Sequence, residues 1–98
     1  MPLTVSTNKK IIRVTGTTDT AQVILGPSAA DVYINSIYWF KPTTAGQLLT
    51  LKTSDGDHII ELACEADGVS RGPFKIETHV KDIYCDDMDS GTLYIYTR

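Results

Sequence analysis

Nucleophiles, bases and metal ligands are scarce in this 98-residue sequence, and their spacing limits the chemistry they can support. Cys64 with His58 or His79 is the only pairing of a thiol with a base. Cys64 falls in phase with Ile60 and Leu62 on a segment that reads as a strand. That phase turns it into the core, where a thiol is inert. His58 opens the same strand beside the Asp57 turn, and His79 stands near a strand junction, so both read as solvated residues. Cys64 and Cys85 are the only cysteines. Two thiols alone make no structural zinc site. Adding His58 and His79 would supply four ligands, but no CxxC or HxxxH spacing is present. The opening MPLTVSTNKK lacks the apolar run of a signal peptide, so the expectation is a cytoplasmic product with two reduced, buried thiols.

The densest group of acids is Asp82, Asp86, Asp87 and Asp89. Asp87-Met88-Asp89-Ser90-Gly91 has the D-x-D-x-G shape of calcium loops, in which carboxylates at alternate positions converge on a hard cation. Asp87 and Asp89 are therefore calcium candidates. The remainder of an EF-hand loop is missing, and Asp with Gly also makes ordinary turns. No GxSxG, HExxH or glycine-rich phosphate loop occurs. The expectation is a chain with no catalytic residues, no cofactor and no dedicated metal.

These residues sit between short strands. Lys9–Thr15 alternates, with Ile12 and Val14 on one face and Ile11 and Arg13 on the other. Ala21–Leu25 is a second strand, and Asp31–Phe40 is the longest. Gln47–Thr53 and His58–Glu65 flank Ser54-Asp55-Gly56-Asp57, where Asp-Gly between two apolar runs is the strongest hairpin signal in the chain. The second arm also fits a short helix, but its tie to the preceding strand favours a strand. Phe74–Thr78, Val80–Cys85 and Thr92–Thr97 complete about eight strands. Residues 1–8 read as a polar arm and 9–98 as one domain. The fold expected is all-β, a small antiparallel β-sandwich of jelly-roll type, with a small barrel as the alternative.

Two strands break the in/out alternation. Between Tyr33 and Phe40 both faces are apolar, with Ile34, Tyr38 and Phe40 on one and Tyr33, Ile37 and Trp39 on the other. In the last strand Leu93 and Ile95 oppose Tyr94 and Tyr96. A sandwich strand needs one buried face, so a loop, the N-terminal arm or another subunit must cover the second. Tyr33, Trp39, Tyr94 and Tyr96 are accordingly the interface candidates, since Tyr and Trp join apolar area to a polar tip. Trp39 with Tyr33, Tyr38 or Tyr94 could alternatively stack on a sugar ring.

Composition agrees with strand. Thirteen threonines accompany many Val, Ile and Tyr residues, and glutamate occurs three times. The net charge of −3 argues against nucleic acid as a partner, and no apolar run approaches the ~18 residues of a membrane helix. The charge is uneven. Residues 1–53 carry five Lys/Arg against two Asp, and residues 54–98 carry four against ten acids. Such asymmetry would let unlike faces of neighbouring copies attract.

The stretches INSIYWFKPTTAGQLLTLKTSDGD and FKIETHVKDIYCDDMDSGTLYIY resemble small proteins encoded among the structural genes of tailed bacteriophages. The shared features are a polar start, a central aromatic strand, an Asp-Gly hairpin and an ending of the form D-S-G-T-L-Y-I-Y. The resemblance implies a virion protein assembled in the host cytoplasm: a head decoration (cement) protein bound to the major capsid protein and to copies of itself as a homo-oligomer. A neck, tail or fibre component is the alternative within the same class, and a carbohydrate-binding module is the alternative outside it.

Overall fold

β-branched and aromatic runs separated by Gly, Asp and Ser turns leave little room for helix, and the computed structural model contains none among the residues it describes, which are 3–8, 10–26 and 32–98. Nine strands follow in chain order: β1 Thr4–Asn8, β2 Ile11–Thr15, β3 Gln22–Leu25, β4 Val32–Phe40, β5 Leu48–Lys52, β6 His58–Ala63, β7 Arg71–Val80, β8 Ile83–Met88 and β9 Thr92–Thr97. They form a five-stranded sheet of order β1-β2-β9-β4-β7 and a four-stranded sheet of order β3-β8-β5-β6. Every pairing is antiparallel.

The pairing follows a simple rule. β2 pairs with β9, β3 with β8, β4 with β7 and β5 with β6. One long antiparallel ribbon, closed at the β5–β6 turn, is thus wrapped into two facing sheets, and this is a jelly roll. The closing turn is the Asp-Gly hairpin. Thr53 N donates to Asp57 O (2.9 Å), Gly56 N donates to Thr53 O (3.0 Å), and Gly56 takes a φ of 89°.

The expected strands are present with two differences. Residues 4–8, read as part of an arm, pair with β2 as the edge strand, Val5 opposite Val14 and Ser6 opposite Arg13. Met1, Pro2 and Lys9 lie outside the described residues, as does Asp31 at the expected start of β4. β7 begins at Arg71 and runs through His79 without the junction expected there, and the turn falls at Lys81-Asp82. The His58 arm is a strand and not a helix.

The core lies between the sheets. Val14, Ile34, Ile37, Trp39, Leu93 and Ile95 from the larger sheet meet Leu49, Leu51, Ile83, Cys85 and Met88 from the smaller, all fully buried. Asp82 is also buried. Its Oδ1 accepts from Ser54 N at 2.8 Å and so ties the β7–β8 turn to the β5–β6 hairpin. The hydrogen bonds from Ser54 hold its carboxyl below the usual carboxylate range.

Candidate functional site

The centre of the five-stranded sheet sets the geometry of its outer face. In β9 strict alternation sends Leu93 and Ile95 inward, which leaves Tyr94 and Tyr96 outside. In β4 the alternation is broken. The pairing of β4 with both neighbours slips between Ile34 and Ser36, so Ile34 and Ile37, three residues apart, are both fully buried. An extra residue in one strand reverses the face of everything beyond it. Trp39 therefore points inward, and Tyr38 and Phe40 point outward beside Tyr94.

This corrects the expected faces of β4. Trp39, an interface candidate by sequence, is a core residue with no exposed surface, and its Nε1 donates to Ser90 O at 2.8 Å. Ile34 does not share a face with Tyr38 and Phe40. Tyr38 and Phe40, absent from the interface candidates, take the place of Trp39. The slip carries no sequence signal, because both faces of this strand are apolar. Tyr33, Tyr94 and Tyr96 are all partly exposed.

The outer aromatics form one group. Ring centroids lie 6.1 Å apart for Tyr38–Phe40, 6.5 Å for Tyr38–Tyr94, 6.3 Å for Phe40–Tyr94 and 6.5 Å for Tyr94–Tyr96. Tyr33 stands at one end, edge-on to His79 at 5.0 Å. Cations border the group. Arg13 is directly opposite Tyr94, and Lys75 is opposite Ser36, which faces Tyr96. Lys41 lies over the Phe40 ring at 5.5 Å, and the Arg98 guanidinium over Tyr33 at 4.2 Å.

Among the described residues, Arg13, Lys41, Lys75 and Arg98 make no ion pair. Lys52, Arg71 and Lys81, placed elsewhere, pair with Asp86, Glu65 and Asp55. An aromatic surface rimmed by cations that make no ion pair among the described residues is suited to binding an extended acidic surface, since charge at the rim steers and apolar area at the centre holds.

The acidic turn is built differently from a cation loop. Asp89 Oδ2 accepts from Leu48 N at 2.8 Å, Ser90 O takes the Trp39 indole, and Gly91 adopts a φ of 80°. Burial pushes the Asp87 carboxyl up to about 6, aided by a hydrogen bond with Asp89 and by the charges of Asp89, Asp19 and Asp86. The described residues contain no group of three or more His, Cys, Asp or Glu side chains arranged to hold a metal. Asp87 and Asp89, the calcium candidates, thus meet in a hydrogen bond, and Asp89 also accepts from Leu48 N to fasten the turn.

Cys64 and Cys85 are free and buried. Leu51 pairs with both Ile60 and Cys85 across β5. Cys64 lies four residues beyond Ile60, so the two thiols are separated by roughly 13 Å along the strand direction alone, at ~3.3 Å per residue, which is too far for a disulfide. Burial raises the Cys85 thiol to about 12. The Cys64 thiol donates to Ala66 O at 3.1 Å. His58 is exposed and contacts Glu61, and His79 sits on the aromatic face and not beside a cysteine.

Compared with known proteins, the chain matches no family model, no curated protein and no solved structure.

Proposed function

We propose that this chain is a non-enzymatic structural protein of a tailed-phage virion, a jelly-roll module that decorates the outside of the head and binds through the outer face of its five-stranded sheet. The observation that carries this reading is the group formed by Tyr38, Phe40, Tyr94 and Tyr96, partly exposed on a sheet whose other face already fills the core. An aromatic group of this kind in water favours a partner, because burying each ring removes a large apolar area from solvent. Two further points support it. Jelly rolls serve in viral shells as well as in lectins, although fold alone leaves function open. The resemblance in the central aromatic strand and the DSGTLYIY ending points to phage structural genes.

Quantitative mass spectrometry of purified particles from the source tests the proposal. A copy number comparable to that of the major capsid protein is expected. A far smaller number would move the chain to the neck, tail or fibre, and its absence from particles would overturn the virion reading. The same rings favour a second reading, a carbohydrate-binding module. Glycan-array binding abolished by Tyr94→Ala would establish that one.

A further inference from the structure

The wrapping of the ribbon sorts charge by face, which the division of the sequence into halves does not reveal. The outer face of the five-stranded sheet and its margins hold Arg13, Lys41, Lys75 and Arg98, none of them in an ion pair among the described residues, against one acid of its strands, the exposed Glu77 of β7. The outer face of the four-stranded sheet has the opposite character. Glu61, Thr50 and Asp87 form one row across β6, β5 and β8, with Asp86 beside them. Lys52 is the one Lys or Arg among the described residues of that face, and it answers Asp86 at 3.1 Å. The same face exposes Leu48 by 44% and Val23 by 50%, apolar area that a hydrophilic surface does not need.

We infer that the cationic aromatic face of one copy docks on the acidic face of the four-stranded sheet of a second copy, so that the chain associates head to tail. The physical choice lies between like and unlike faces. A two-fold pairing of aromatic faces would set Arg13, Lys75 and their neighbours against the same cations of the partner, and like charges brought together at an interface cost several kcal/mol. The unlike arrangement places those cations against Glu61 and Asp86, and Tyr38, Phe40 and Tyr94 against the exposed Leu48. Because the two faces lie on opposite sides of the sandwich, each copy keeps one free face after binding. Such a heterologous contact closes into a ring or continues as a row. The inference rests on the aromatic face being a contact surface and not on the virion assignment, which particle copy number tests separately.

Sedimentation velocity on the purified chain decides it. At about 50 mM salt the weight-average mass is expected to exceed the 10.8 kDa of one chain. At about 500 mM the association constant should fall by roughly tenfold or more, as screening shortens the reach of the charges. The double variant Arg13→Glu/Lys75→Glu carries acid on both faces and is expected to be monomeric. The double variant Glu61→Lys/Asp86→Lys carries cations on both faces and is expected to be monomeric too. Mixing the two should restore association, because each then presents what the other lacks.

Should either variant fail to fold, zero-length carbodiimide cross-linking of the unmodified chain, mixed as light and 15N-labelled copies, replaces it. Links from Lys41 or Lys75 of one isotope to Glu61 or Asp86 of the other are expected. A monomer in both buffers, a mixture that stays monomeric, or links confined to single copies would overturn the inference. If single-stranded DNA binds instead and Arg13→Glu/Lys75→Glu abolishes that binding, the face belongs to a nucleic acid.

Discussion

The Trp39 indole Nε1 donates to the Ser90 carbonyl oxygen at 2.8 Å, a bond that joins the end of β4 to the β8–β9 turn across 51 positions of sequence. The same turn is held from a third side. Ser90 Oγ accepts from Thr43 N at 2.9 Å and donates to Gln47 Oε1, and Asp89 Oδ2 accepts from Leu48 N. The turn, the far end of the longest strand and the β4–β5 loop thus form one structural unit. The acids and glycine that resemble a cation loop serve as its fasteners.

Trp39 is therefore a test of fold and not of binding. Trp39→Ala should destabilise the domain by about 3–5 kcal/mol through the cavity it leaves. Trp39→Phe keeps most of the packing but leaves Ser90 O without its donor, at a cost of about 1–3 kcal/mol. Urea denaturation of both variants measures the difference, and a neutral Trp39→Ala would contradict the buried position.

Gly91 has no room for a side chain. A Cβ there would stand 2.8 Å from Phe40 O and 2.9 Å from Trp39 Nε1, and its φ of 80° already disfavours any other residue. Gly91→Ala should cost at least ~2 kcal/mol from conformation and crowding together. Gly46→Ala is a control for the conformational part alone, because its φ is 92° and nothing lies within 4 Å of the added carbon. The gap between their melting temperatures isolates the crowding at the Trp39–Ser90 junction.

The outer aromatics should behave in the opposite way. Tyr94→Ala or Tyr96→Ala removes cross-strand contacts on a half-exposed face, worth about 1 kcal/mol or less each. Folding should survive, as circular dichroism melts would show. Association, read by sedimentation, should be lost. Stability losses as large as those of Trp39→Ala would mean that these rings belong to the core.

Asp87 and Asp82 set opposing pH dependences. Between the ordinary carboxyl value of 3.8 and about 6, folded Asp87 keeps a proton that the unfolded chain has released, so its contribution to stability falls as pH rises through that window. Asp82 is held low, so its contribution is present above 3.8 and is lost as pH drops further. Asp87→Asn should raise the melting temperature at about pH 7.5, where the native carboxylate is penalised, and change it little at about pH 4. Equal effects at the two pH values would contradict the burial of its carboxyl.

Cys85 should resist alkylation. A thiol pushed up to about 12 supplies almost no thiolate at neutral pH, and both cysteines are buried. Iodoacetamide followed by intact mass measurement should add nothing to the folded chain and two groups in denaturant. Rapid labelling of the folded chain would contradict the burial of both thiols.

Much of the architecture was legible because its signals are local. Asp-Gly between apolar runs names a hairpin through the φ of a single residue, and the alternation of Ile12 with Arg13, or of Leu93 with Tyr94, assigns faces through the two-residue period of a strand. These signals place the strands, the closing turn and the alternation of β2 and β9. They also mark β4 and β9 as apolar on both faces.

Other features depend on which segments meet. β4 lies between β9 and β7, and it slips near Asn35 against both; a slip inside a strand that is apolar on both sides leaves no break in pattern, so only the paired backbones decide that Trp39 turns inward and Tyr38 and Phe40 turn outward. The acids of Asp87-Met88-Asp89 suggest a cation in the sequence, and only the fold shows that Asp89 also accepts from Leu48 N across 41 positions. Charge follows the same logic. Counted along the chain it divides into a basic and an acidic half, but the jelly roll pairs the second strand with the last. The cations of Arg13 and Lys75, 62 positions apart in the sequence, thus arrive on one face through pairing between distant segments, which period and propensity do not encode.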